Sequence, residues 1–98
     1  MQTAASLQTD YPITELTLNP GIFTIGRAAD NDIVLNEPGI SDYHAKLVTY
    51  FHQSVLVDLS SEGGSYLNGA RVIRHSINNG DLIKLGNHVF KIRLRPDA

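Results

Sequence analysis

The stretch "SYLNGARVI", Ser65 to Ile73, decides the fold. Asn68 and Gly69 stand between strand-like residues, and both tolerate the positive φ that a two-residue type I′ turn requires. The stretch therefore reads as a β-hairpin. Upstream of it, "SSEGGS" (Ser60–Ser65) is a loop. Before that loop, "HAKLVTYF" (His44–Phe51) and "SVLVDLS" (Ser54–Ser60) are two strands joined by a short polar link. Downstream, "NNGD" (Asn78–Asp81) is a turn, and "DLIKLG" and "HVFKIRL" form a closing hairpin around Gly86-Asn87.

Farther from the hairpin the same grammar holds. "ITELTL" (Ile13–Leu18) alternates apolar and polar residues with period two, as a half-buried strand does. "NPG" (Asn19–Gly21) turns the chain, "IFTIG" (Ile22–Gly26) is a second strand, and "DIVL" (Asp32–Leu35) is a short third before "EPG" breaks the chain again. No stretch has a 3.6-residue period. Short strands punctuated by turns about every 8–12 residues predict an all-β fold, a two-sheet sandwich. Residues 1–12 are small and polar and read as a flexible lead-in, which leaves 13–95 as the folded domain.

Composition narrows the function. The chain has 98 residues, 42% of them hydrophobic, enough for one packed domain. That length is also common for a module of a larger protein. A formal charge of -2 argues against a dedicated nucleic-acid binder, which normally shows a basic excess. The chain has no Cys, so disulfides, thiolate chemistry and Cys-ligated zinc are excluded. No long apolar run suggests a membrane span, and the N-terminus lacks the basic and apolar regions of a signal peptide. The expectation is a cytoplasmic protein without membrane association.

Three loops carry unusual chemistry: Gly26–Asn31, Glu37–His44 and Ser60–Ser65. Ser41, Asp42 and His44 are the residue types of a hydrolase. A nucleophilic serine needs a base within reach and an oxyanion hole, and nothing here resembles a G-x-S-x-G elbow. Residues of these types so close in sequence usually make turn and capping hydrogen bonds. No enzyme is expected. The histidines (His44, His52, His75, His88) are scattered without a zinc-motif spacing, and "DNDIVLNE" lacks the register of a calcium loop, so neither metal nor cofactor is expected. Anion binding fits better. Arg27 leaves a strand, Ser41 lies in a second loop, and "SSEGGS" adds hydroxyls and glycine amides; together these suit a phosphate.

The order of these elements, "FTIGR", then "ISDYHAKL", then "DLSSEGGSYLNGARV", then "NGDLIKLGNHVFKI", resembles the forkhead-associated (FHA) domain over roughly Ile13 to Leu94. The resemblance implies a sandwich of about eleven strands, of the SMAD/FHA-like kind, with a binding site made by loops at one end. It implies a non-catalytic module that binds phosphothreonine segments of partner proteins in Ser/Thr kinase signalling. Residue by residue, Arg27 and Ser41 match the family's phosphate-contacting Arg and Ser, and His44 matches the histidine that braces the Ser loop. Gly26 matches the glycine that lets the strand end turn tightly, and Asn68-Gly69 matches a hairpin near the site. Gly64 and Ser65 fall where loop amides assist.

Three positions depart from the family. Gly63 stands where Asn is usual, Glu62 where Thr or a basic residue is frequent, and Asp42 where Arg or Asn is. A carboxylate about 4–6 Å from a phosphate opposes binding by roughly 1–2 kcal/mol at a surface. One Arg–phosphate contact offers roughly 1.5–3 kcal/mol. Two functions are therefore carried forward. The first is a phosphothreonine reader using Arg27, Ser41, Asp42, Glu62, Gly63, Gly64 and Ser65. The alternative is a degenerate scaffold that binds a protein partner without phosphate through another face.

Overall fold

The computed structural model describes residues 13–51 and 53–94, so the lead-in expected at 1–12 lies outside the described residues. Ten strands occur among them, with no helix. They are β1 (Ile13–Leu18), β2 (Gly21–Gly26), β3 (Ile33–Val34), β4 (Ala45–Tyr50), β5 (Gln53–Asp58), β6 (Ser65–Leu67), β7 (Ala70–Val72), β8 (Arg74–Ile77), β9 (Leu82–Leu85) and β10 (His88–Leu94). One five-stranded sheet has the order β1-β10-β9-β6-β7 and the other β3-β2-β4-β5-β8. The two-sheet sandwich is as the alternation in the sequence requires, with ten described strands against about eleven expected.

Period-two alternation sets the core. Along β4, Ala45 and Leu47 are buried while Lys46 and Val48 are only partly covered; along β9, Ile83 and Leu85 are fully buried. Ile25, Leu47 and Leu56 of one sheet and Ile83, Phe90 and Ile92 of the other belong to one cluster. Burying a side chain of this size contributes roughly 1.5–3 kcal/mol, so this cluster is the main stabilising feature.

The expected type I′ turn is present, with φ of 49° at Asn68 and 91° at Gly69. Two features were not expected from the sequence. Arg74–Ile77 is a strand, although only Ile77 of its four residues is buried, because it is an edge strand held by antiparallel pairing to β5. And β1 pairs in parallel with β10, joining the two ends of the described chain from Ile13↔Val89 to Leu18↔Leu94.

The pairing brings loops together. Ile25 is opposite Ala45, Ala45 is opposite Asp58, and Ser65 is opposite Leu85. The β2–β3, β3–β4, β5–β6 and β9–β10 connections therefore share one end of the sandwich. All three loops singled out in the sequence meet there.

Candidate functional site

The β2–β3 and β3–β4 loops are sewn together by their backbones. The Arg27 N–H donates to Ser41 O (3.0 Å), the Ala28 N–H to Asp42 O (3.1 Å) and the His44 N–H to Ile25 O (2.9 Å). Gly26 is what allows this approach: a β-carbon there would overlap the Asp42 carbonyl and lie 2.8 Å from Asn31 Nδ2. Gly26 has no positive φ, so its role is close packing and not the tight turn expected of it. Asn31, which the sequence reading passed over, is buried and donates through Nδ2 to both Ala28 O and Asp42 O, at 2.8 Å each.

His44 joins the β3–β4 loop to the β5–β6 loop. It is fully buried; its Nδ1 accepts the Ser41 N–H (3.1 Å), and its Nε2 faces Gly64 O at 2.9 Å. A carbonyl can only accept, so the network assigns the proton to Nε2 and leaves Nδ1 bare. Both ring nitrogens are thus committed to backbone, and His44 is a brace, with no nitrogen directed at the Ser41 hydroxyl.

Asp58, at the end of β5, organises the third loop. Its carboxylate accepts from Ser61 Oγ (2.5 Å), Ser65 Oγ (2.6 Å) and the Ser61 N–H (3.0 Å). Burial pushes the Asp58 pKa up, but the hydrogen bonds from Ser61 and Ser65 outweigh it and hold the carboxyl below its ordinary value. Ser61 Oγ in turn accepts the Gly64 N–H at 2.9 Å.

These bonds sort the sequence-derived site residues. Ser65 is fully buried with its hydroxyl on Asp58, and Gly64 is buried with its N–H on Ser61 and its C=O on His44. Neither faces a ligand; both are internal supports, which corrects their assignment as phosphate contacts. Asn68 and Gly69 are moved too. Their turn lies at the far end of β6, roughly 10 Å along the strand from Ser65. There the Asn68 side chain accepts from the Leu82 N–H (2.9 Å) and donates to Asp81 (3.1 Å), so it anchors the hairpin to β9 and does not brace the site loops.

The residues left facing solvent are Arg27, Ser41, Asp42, Glu62 and Gly63. Arg27 is exposed; its Nη2 donates to Asn36 Oδ1 at 3.3 Å, which steadies the guanidinium and leaves most of its five N–H donors unused. Ser41 Oγ accepts the Glu62 N–H (3.1 Å), and among the described residues no acceptor takes the hydroxyl proton. A guanidinium and a hydroxyl proton on adjoining loops form a receptor for an oxyanion. Asp42 and Glu62 are exposed beside it, and their carboxylates have no hydrogen-bond or ion-pair partner among the described residues. Their neighbours do: Asp32 takes Thr24 N–H (2.8 Å), Asp30 takes the Tyr43 hydroxyl (3.0 Å), and Glu37 lies 3.4 Å from His88 Nδ1. The Asp30 carboxylate raises the Tyr43 pKa, first through that hydrogen bond and then through its charge. At Gly63 a β-carbon would stand 3.1 Å from Gly39 O, so a larger residue there needs the β3–β4 loop to give slightly. Among the described residues no cluster of His, Asp and Glu has the arrangement of a metal site, and no helix is long and apolar enough to cross a membrane.

Comparison with known proteins agrees with this architecture. The family model for the FHA domain matches residues 23–86. The chain is 43% identical over 70 residues to the ABC transporter ATP-binding/permease protein Rv1747 of Mycobacterium tuberculosis, covering 71% of this chain and 8% of the transporter. A structure from work on phosphothreonine-dependent FHA domain interactions superposes with a TM-score of 0.76 at 32% identity, covering 81% of this chain and 82% of that one. EmbR of M. tuberculosis, solved with a low-affinity phosphopeptide, superposes with a TM-score of 0.72 at 35% identity, over 76% of this chain and 20% of EmbR. The chain belongs to the FHA domain family. It spans a fifth or less of the length of these two larger relatives.

Proposed function

We propose that this domain is a non-catalytic module that binds phosphothreonine segments of partner proteins, with Arg27 and Ser41 as the phosphate contacts. The observation that carries the reading is the pairing of these two side chains. The backbone bond from Arg27 N–H to Ser41 O fixes them on one ridge, with the guanidinium largely unengaged and the hydroxyl proton undirected. Phosphothreonine brings about -1.5 to -2 charges and several acceptor oxygens to that ridge. EmbR, a relative solved with a phosphopeptide, supports the reading. On this reading a Ser/Thr kinase modifies the partner, and residues 13–95 act as one cytoplasmic recognition domain within a larger protein. β1, which lies outside the matched segment, belongs to it because of its pairing with β10.

One observation favours a second reading, a scaffold that binds a partner without phosphate. Arg27 is the sole Lys or Arg in segments 27–32, 35–44 and 59–64, which carry five carboxylates, and those of Asp42 and Glu62 are uncompensated. An amide-NMR titration with a degenerate phosphothreonine peptide pool and its unphosphorylated twin separates the two. Shifts at Arg27, Ser41 and Glu62 with the phosphorylated pool alone establish the phosphothreonine reader. Equal responses to both pools, or shifts on another face, would replace it with the scaffold.

A further inference from the structure

The outer face of the β3-β2-β4-β5-β8 sheet takes no part in the loop site. Along β4 and β5 the buried residues Ala45, Leu47 and Leu56 point into the core, so Lys46, Val48, Tyr50, Val55 and Val57 point outward. On β8 the buried Ile77 likewise turns Arg74 outward. These six side chains line a groove of about 250 Å³. Val55 is buried without belonging to the core cluster, which makes it the groove floor. Ile22, opposite Val48, is 62% exposed and extends the apolar surface across β2. Beyond Tyr50, Phe51 is 90% exposed, its ring edge-on to that of Tyr50 at 6.3 Å.

The groove carries two cations, and neither is paired. Cross-strand register sets Lys46, Val57 and Arg74 in one row. Lys46 and Arg74 are thus two strand spacings apart, about 9.5 Å. Among the described residues neither has a hydrogen bond or an ion pair. The residues opposite them in register are Thr24 and Val57, both uncharged. Asp32 lies beside Thr24, and its carboxylate takes the Thr24 N–H (2.8 Å) and hydroxyl (3.2 Å). Asp58, next to Val57 in the chain, turns the other way, onto Ser61 and Ser65. Three other arginines are engaged: Arg27 with Asn36, Arg93 with Glu15 at 3.7 Å, and Arg71 against Gly64, where a β-carbon would stand 2.6 Å from its Nε.

We propose that this groove docks an acidic amphipathic helix of a partner protein, in a contact that needs no phosphate. Two unpaired cations astride an apolar floor are complementary to two carboxylates astride apolar side chains. A helix meets that spacing: residues i and i+7 lie about 10.5 Å apart on one face, with i+3 and i+4 between them. Carboxylates at i and i+7 reach Lys46 and Arg74, and Leu at i+3 and i+4 covers Val55 and Val57. Two cations are too few for other polyanions. An anionic bilayer is held by clusters of about four to eight Lys or Arg, and a duplex by contacts to several phosphates. The inference goes beyond the phosphothreonine reading and does not rest on it, because the groove shares no residue with the Arg27–Ser41 ridge.

The test titrates the 98-residue chain, followed by amide NMR, with a helical peptide pool that carries Leu at i+3 and i+4 and Glu at i and i+7, and with its Gln twin. The Glu pool is expected to bind about five-fold tighter at low salt, shifting the amides of Val48, Val57 and Arg74 and leaving those of Arg27 and Ser41 in place. That ratio falls toward one at high salt. It falls to about two in Arg74→Gln and to about one when Lys46→Gln is added. The Glu–Gln contrast is read on the wild-type chain, so it decides even where a variant unfolds. Equal binding of both pools, or shifts confined to the loop end, overturns the inference and leaves the phosphothreonine reading standing. Tighter binding of a phosphatidylserine vesicle or a DNA duplex at the same amides overturns the assignment of a helix. Shifts of those amides on concentrating the free chain overturn it too, since a second copy then covers the groove.

Discussion

At one end of β6, the Asn68-Gly69 turn commits the Asn68 side chain and N–H to the protein: Asn68 bonds with Leu82 and Asp81, and Asp81 closes back on Asn78. At the other end, the loop before Ser65 uses the same kinds of residue, small, hydroxylated and glycine-rich. It too consumes Asp58, Ser61, Gly64 and Ser65 internally, yet it holds Ser41 and Glu62 at the surface with bonding capacity left over. The contrast separates polar residues that build a turn from those that can receive a ligand. A satisfied turn is structure; a rigidly held group whose donors have no partner is a site.

The largest way to break the contrast is His44→Ala. It leaves the Ser41 N–H and the Gly64 carbonyl without partners, so about 3 kcal/mol of stability should be lost in urea unfolding. Amide exchange should accelerate in residues 35–44 and 59–64 before it does at Asn68. A loss below about 0.5 kcal/mol would mean the loops hold themselves without the brace. Next is Arg27→Ala, expected to lower phosphopeptide affinity about ten- to hundred-fold while stability changes by less than about 0.5 kcal/mol. Calorimetry paired with a melt checks both halves. Asn68→Ala sharpens the comparison from the opposite end. Removing the side-chain bonds to Leu82 and Asp81 and the tolerance of positive φ should cost about 1–2 kcal/mol, with phosphopeptide affinity unchanged. A drop in affinity would show that the two ends are coupled.

The smallest effect is one of acidity. Hydrogen bonding lowers the Asp58 pKa in the folded state, so its contribution is present above the ordinary aspartate value. It is lost as pH falls through the folded value, which lies below the ordinary one. Wild-type amides of Ser61 and Gly64 should then lose protection in acid before those of the core strands. Asp58→Asn should lack that acid step; an unchanged profile would place the step elsewhere.

Some of the site was readable without coordinates and some was readable but missed. Arg27 and Ser41 stood out through residue type and order. Ser65 was misassigned, although the signal against it was present: it lies two residues before the core residue Leu67, so strand alternation puts both on the buried face. Arg74–Ile77 escaped notice because an edge strand with one buried residue has no apolar alternation to display. Asn31 and Asn36 look like ordinary loop asparagines. Their partners, Asp42 O and Arg27, are 11 and 9 residues away, and nothing local specifies that meeting.

Local chemistry determined the class of this protein. Period-two alternation, Asn-Gly and Gly turns and the lack of helical periodicity make short strands and tight turns, and an apolar face on each strand makes a sandwich. These effects act over a few residues and so are visible in the sequence itself. The tertiary structure decided which polar groups remain free. That depends on long-range pairing: β1 onto β10, Ser41 N–H onto a histidine ring that also holds Gly64, Arg71 onto a loop seven residues before it in the chain. Hydrogen bonds act over about 3 Å, so only the folded chain determines which donors already have an acceptor and which, at Arg27 and Ser41, still face solvent.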